Sequence, residues 1–168
     1  SIKRFHPTVA VVTSIDEDHL DYYRDIEDIG QVFLEFANRV PFFGVAVLCL
    51  DQENVQALIP KLDKRFVTYG VRTDADISAT DLVYEGSISR CTVRRRGETL
   101  GELTIPLPGE HNVLNALAAE CVALELDLEF GAISDALASF QGVHRRFEVL
   151  GEKRGVLVVD DYAHNPAK

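Results

Sequence analysis

The sequence contains no methionine and no tryptophan, and only three cysteines and six prolines in 168 residues. No apolar run approaches the roughly 20 residues that a membrane span requires, and the opening Ser1–Pro7 stretch lacks the apolar core of a secretory leader. A cytoplasmic location without membrane insertion is therefore expected. Cys49, Cys91 and Cys121 are isolated, each flanked by apolar or strand-like residues. Metal sites usually use close pairs such as C-x-x-C, so buried thiols in a reducing compartment are the expected state. Basic charge is scarce as well: 17 Lys and Arg stand against 27 Asp and Glu, a net charge of −10. Arg94-Arg95-Arg96 is the only basic run and leads straight into a Gly-Glu turn, which argues against a nucleic-acid partner. The sequence also has no G-x-x-x-x-G-K-[ST] or G-x-G-x-x-G phosphate cradle and no G-x-S-x-G nucleophile elbow.

What is present is ordinary for a globular chain: 46% hydrophobic and 26% charged residues. The length suits about one domain, able to bury roughly 70% of the unfolded chain's surface. Thr8 to Thr13 is a short β-branched run, as in a strand covered on both faces. Apolar residues at Ile26, Ile29, Phe33, Phe36, Ala37 and Val40 follow a helical period that Pro41 stops. Gly44–Leu50 reads as a second buried strand, Gln52–Leu62 as a short helix interrupted at Pro60, and Arg65–Val71 as a third strand. This β-α-β-α-β order predicts an α/β fold with a doubly wound, mostly parallel sheet and helices on both faces.

The rhythm then changes. Ile77–Ala79, Ser87–Arg96 and Thr99–Leu107 alternate like antiparallel strands, with Arg96-Gly97-Glu98 as a hairpin turn, which predicts a small antiparallel subsheet. Two helices follow, Glu110–Leu126 and Leu128–Phe140, the second closed by Gln141-Gly142. Strands at Glu148–Gly151 and Val156–Asp160 read as the first strands of a second α/β domain. The expected division is residues 1–142 as one domain and 143–168 as a hinge with the start of the next.

Four segments can carry chemistry. Asp16-Glu17-Asp18-His19-Leu20-Asp21 follows the first strand, where open α/β sheets bind ligands, and it can hold Mg²⁺ or simply form a solvated acidic loop. Asn112 and Asn115 are three apart at the start of a helix, so their amides share one face. An amide offers a donor and an acceptor together, which suits the edge of an adenine; the alternative is that His111 and Asn112 only cap the helix. Arg145-Arg146 sits before the last two strands and can reach a phosphate bidentately or form a surface ion pair. Asp160-Asp161 ends a Val/Leu strand, where one acid at least is free for a ligand hydroxyl or a metal.

In this order the segments resemble the Mur ligases, ATP-dependent amino-acid ligases of peptidoglycan precursor synthesis. The motifs are Val12–Asp21, Pro41-Phe42-Phe43-Gly44, Thr68-Tyr69-Gly70, Gly109–Ala116, Phe140–Phe147 and Asp160-Asp161-Tyr162-Ala163-His164-Asn165-Pro166. Asn38–Gly44 and the doubled arginine before Phe147 look most like the branch that adds L-alanine to UDP-N-acetylmuramate. The resemblance implies ATP and Mg²⁺ as cofactors, with the muramate nucleotide and L-alanine as small-molecule substrates. It implies that His19 ligates Mg²⁺, with Asp18 and Asp21 shaping its loop, and that His111, Asn112 and Asn115 face the adenine. Arg146 would contact the ATP phosphates, Asp161 would hold the ribose, and His164 would lie near the phosphates or the incoming amino acid. Asn165 stands where the alanine-adding branch usually has a second histidine, so a related ligase with another acceptor, including a whole peptide, stays open. So does a non-catalytic α/β binding module. With no methionine and no phosphate loop, the chain is expected to be the middle of a longer enzyme, without ligase turnover by itself.

Overall fold

The structure, a computed structural model, describes residues 2–17, 23–146 and 148–162. Its centre is a strand buried at every position, β2 (Val45–Cys49). A pleated strand turns alternate side chains to opposite faces, and β2 divides accordingly. Val45, Val47 and Cys49 enter one hydrophobic cluster, Ala46 and Leu48 the other.

Around β2 the sheet grows in chain order. β1 (Val9–Val12), β2, β3 (Phe66–Gly70) and β4 (Ile77–Glu85) pair in parallel. β5 (Ile88–Arg95) and β6 (Glu98–Ile105) continue the same six-stranded sheet as an antiparallel meander. Helices cover both faces, as the sequence predicts. On one side α1 (Ile26–Ala37) and the single turn α2 (Glu53–Gln56) bring Ile29, Leu34, Ala37 and Val55 onto Val12, Ala46 and Leu48. On the other, α3 (Glu110–Glu125) lays Val113, Ala116, Leu117 and Cys121 across strands of both the parallel and the antiparallel half. α4 (Phe130–Ala138) packs beside it against β6. No described helix is long and apolar enough to cross a membrane.

Several boundaries differ from the sequence reading, each for a local reason. α1 starts where the Asp25 side chain accepts the Asp28 N–H at 2.8 Å. It ends at Ala37 rather than Val40, because Arg39 N–H bonds to the Phe36 carbonyl in a tightened last turn before Pro41. The 52–62 helix is one α-turn followed by a 3-10 turn at Ile59–Lys61, since Pro60 has no N–H to donate. β4 runs six residues past Ala79, through a bulge between Thr80 and Val83 with Asp81 at φ 54°. That bulge breaks the alternation and hides the strand's continuation.

β7 (Glu148–Lys153) and β8 (Val156–Asp160) form a separate two-stranded antiparallel sheet. Val149, Leu150, Val156, Leu157 and Val158 are all exposed on it. A lone hairpin of this size buries little, and this one is tied to the preceding segment through Tyr162 N–H donating to the Arg145 carbonyl at 2.7 Å.

Candidate functional site

The carboxyl ends of β2 and β3 and the amino end of α3 meet. Directly beyond β2, the carboxylate of Asp51 gathers the turn that follows β3. Its Oδ2 accepts the Val71 N–H at 2.7 Å, its Oδ1 accepts the Thr73 hydroxyl at 2.7 Å, and both oxygens lie 3.2 Å from the Arg72 nitrogen. From that turn Arg72 Nη2 reaches Glu110 Oε1, at the first residue of α3, at 2.7 Å.

Below this turn Asp76 is bound from two sides. Thr68 donates both its N–H and its hydroxyl to Asp76 Oδ2 at 3.0 Å, and Arg96 Nε donates to Oδ1 at 3.1 Å. Burial works against the charge on Asp76, but these bonds outweigh it and hold the carboxyl below the usual carboxylate range.

The first two turns of α3 carry three residues singled out from sequence. Its N-cap is Gly109, with no side-chain capping bond, so neither His111 nor Asn112 is the cap. Asn112 is half-buried and donates Nδ2–H to the Pro108 carbonyl at 2.7 Å, which uses one of its two N–H groups and leaves Oδ1 outward-capable as an acceptor. His111 is exposed, its ring folded back beside Gly109. Asn115 is exposed too. His111, Asn112 and Asn115 thus lie together at one end of α3.

Residues around Arg145 form a second group. Arg145, at φ 61°, stacks its guanidinium 4.8 Å from the Tyr162 ring centroid, and its Nε is 4.0 Å from Asp160 Oδ2. Its N–H donates to Glu148 Oε2 at 2.8 Å, while His144 Nδ1 sits 2.8 Å from Oε1 of the same carboxylate. Those contacts draw the Glu148 carboxyl below the usual range, the Arg145 N–H first among the causes. The ion-pairing arginine is therefore Arg145; Arg146 and Asp161 are exposed.

His19, with Asp18 and Asp21, and His164 lie outside the described residues. Among the described residues no group of three or more His, Cys, Asp or Glu is placed to hold a metal. An apolar hollow of about 400 Å³, lined by Ile2, Phe5, His6, Pro7 and Phe36, lies beside the amino end of β1 and contains none of the residues above. Sequence reasoning missed Asp51, Arg72 and Glu110. The only available signal was position: Asp51 ends a wholly apolar strand, and Gly70 ends its neighbour.

It also missed Glu120, on the third turn of α3. Its side chain is 0% exposed, and among the described residues neither carboxylate oxygen has a hydrogen-bond partner. Desolvation pushes its pKa up to about 7.

Comparison with known proteins places this arrangement. A UDP-N-acetylmuramate–L-alanine ligase of Syntrophotalea carbinolica is 52% identical over all 168 residues, and the chain spans 37% of that relative's length. The solved structure of a UDP-N-acetylmuramate-alanine ligase, MurC, from Thermotoga maritima superposes with a TM-score of 0.82 at 28% identity, over 98% of this chain and 37% of that one. A MurF structure from Acinetobacter baumannii shares the fold, with a TM-score of 0.87 at 24% identity over 99% of this chain and 36% of its own. The Mur ligase middle domain family matches residues 1–123, most of the chain, and the protein belongs to that family.

Proposed function

We propose that the chain forms the adenine-recognising and hinge portion of a cytoplasmic, ATP-dependent ligase that joins L-alanine to UDP-N-acetylmuramate in peptidoglycan precursor synthesis. The observation that carries this reading is the 52% identity to the Syntrophotalea ligase along the full length of the chain. The gathering of His111, Asn112 and Asn115 at one end of α3 supports it. ATP would supply the phosphoryl group that activates the muramate carboxylate as an acyl phosphate, which the alanine amine then attacks.

The chain's own residues divide the work. Asn112 and Asn115 present amide donors and acceptors to the adenine edge, and the Pro108 carbonyl fixes the Asn112 amide plane before a base arrives. His111 closes the base site from the side. Arg146 offers its exposed guanidinium to the phosphates, and Asp161 accepts a ribose hydroxyl. His19 is the proposed Mg²⁺ ligand, and His164 is assigned to the phosphates or the incoming amino acid. Residues 143–168 would open the domain that receives that amino acid.

The test is a titration of magnesium-ATP into the 168-residue chain, following the side-chain amide resonances of Asn112 and Asn115. Saturable shifts at both, lost in Asn112→Ala, are the expected result. Shifts confined to other parts of the chain would contradict the base site.

A further inference from the structure

We propose that Asp51 and Arg72 are positioning residues for the nucleotide end of the site, holding the first turn of α3 in place; the role in nucleotide binding rests on the function proposed above. α3 begins at Gly109 without a side-chain capping bond. The first turn of a helix has N–H groups with no intrahelical partner, and an uncapped turn frays readily. Yet this turn carries His111 and Asn112, which must be in place before a base can be read. Among the described residues its local ties are the Asn112 side-chain bond to the Pro108 carbonyl and the Asn112 and Val113 N–H bonds to the Gly109 carbonyl, none of them a side-chain cap.

A long-range brace takes the place of the cap. The Asp51 carboxylate accepts from three consecutive residues, Val71, Arg72 and Thr73. These are charge-assisted bonds, stronger than neutral ones, and they fix the backbone from which Arg72 projects. The packing is close: a Cβ on Gly70 would stand 2.5 Å from both Asp51 Oδ1 and Thr73 Oγ1. Arg72 then reaches Glu110 Oε1 at 2.7 Å. An exposed ion pair contributes little to global stability by itself, and with Arg72 73% exposed this pair is no exception. Its effect is local. It ties the helix start to the strand ends, and it neutralises the Glu110 carboxylate, which would otherwise repel an anionic ligand approaching the same helix terminus.

The experiment is amide hydrogen exchange on the full 168-residue chain, with magnesium-ATP affinity measured on the same samples. Arg72→Met, a surface change, is expected to speed exchange at residues 110–113 roughly threefold while leaving β2 and β3 protected and the thermal midpoint unmoved. Arg72→Lys keeps the charge and should restore protection. Asp51→Asn should loosen residues 71–73 and 110–113 together. ATP affinity should fall with protection in Arg72→Met and recover in Arg72→Lys. Unchanged exchange at 110–113 in both Arg72→Met and Asp51→Asn would overturn the proposal. So would unchanged ATP affinity in an Arg72→Met chain whose first turn has loosened. A wild-type chain without ATP affinity would count against the nucleotide reading instead, and the exchange data would still decide whether the brace exists.

Discussion

The Phe130 ring fills the space where a Cβ on Gly101 would stand: the nearest ring carbon lies 2.6 Å from that position. Gly101 is at φ 157°, on β6 opposite Val93, next to the register shift between Val93 and Arg94. The contact seats α4 on the sheet, helped by Ser134 Oγ donating to the Glu102 carbonyl at 3.2 Å. Gly101→Ala should therefore destabilise the chain by about 2–3 kcal/mol through overpacking, read by chemical denaturation. In a Phe130→Ala background the same change should cost much less, because the ring it collides with is gone.

Glu120 gives the fold a pH dependence of unusual sign. Its carboxyl has an ordinary value near 4.5 in the unfolded chain and about 7 when buried. Between those values the folded chain binds more protons than the unfolded one, so stability falls as pH rises through that window and levels off above it. The loss by pH 8 is on the order of 3 kcal/mol. Glu120→Gln should flatten the profile, and Glu120→Leu should both flatten it and raise stability, since an apolar group suits that position. Thermal midpoints at pH 5, 6, 7 and 8 check this. A wild-type midpoint that does not fall across the series would contradict the assignment.

The three thiols are closed to reagents in the folded chain. Cys49, Cys91 and Cys121 are buried and free. Desolvation pushes all three up, Cys91 to about 11, so the reactive thiolate is scarce at neutral pH. A chromogenic disulfide reagent should find no fast thiol in the native chain and three after denaturation. A fast-reacting thiol in the native chain would mean that the α3 face of the sheet opens locally.

Much of the fold was legible because β2 and its neighbours are nearly pure apolar runs and the helices between them keep a 3.6-residue period. β4 was legible only to Ala79, since the Thr80–Val83 bulge shifts the pattern just where the strand leaves the core. The site divides along the same line. The placement of His111 and Asn112 at a helix start was legible because Pro108-Gly109 announces it. Asp51 and Arg72 act through chain segments far apart in sequence, and neither periodicity nor spacing reports such a contact. The exposure of Asn115 and the burial of Glu120 were not legible for one reason: α3 is apolar nearly all round, so its sequence does not say which side meets the sheet. A glutamate among alanines and leucines reads as solvent-facing, and here it is the buried one.

The ligase reading meets its most direct test in a graft. The chain replaces the homologous stretch of the Syntrophotalea ligase, and phosphate release from magnesium-ATP is followed with UDP-N-acetylmuramate and a series of acceptors. Release that requires both the muramate nucleotide and L-alanine, and that collapses in Arg146→Ala, is the predicted result. Release driven by a peptide acceptor in place of L-alanine, or no release from a folded graft, would contradict it.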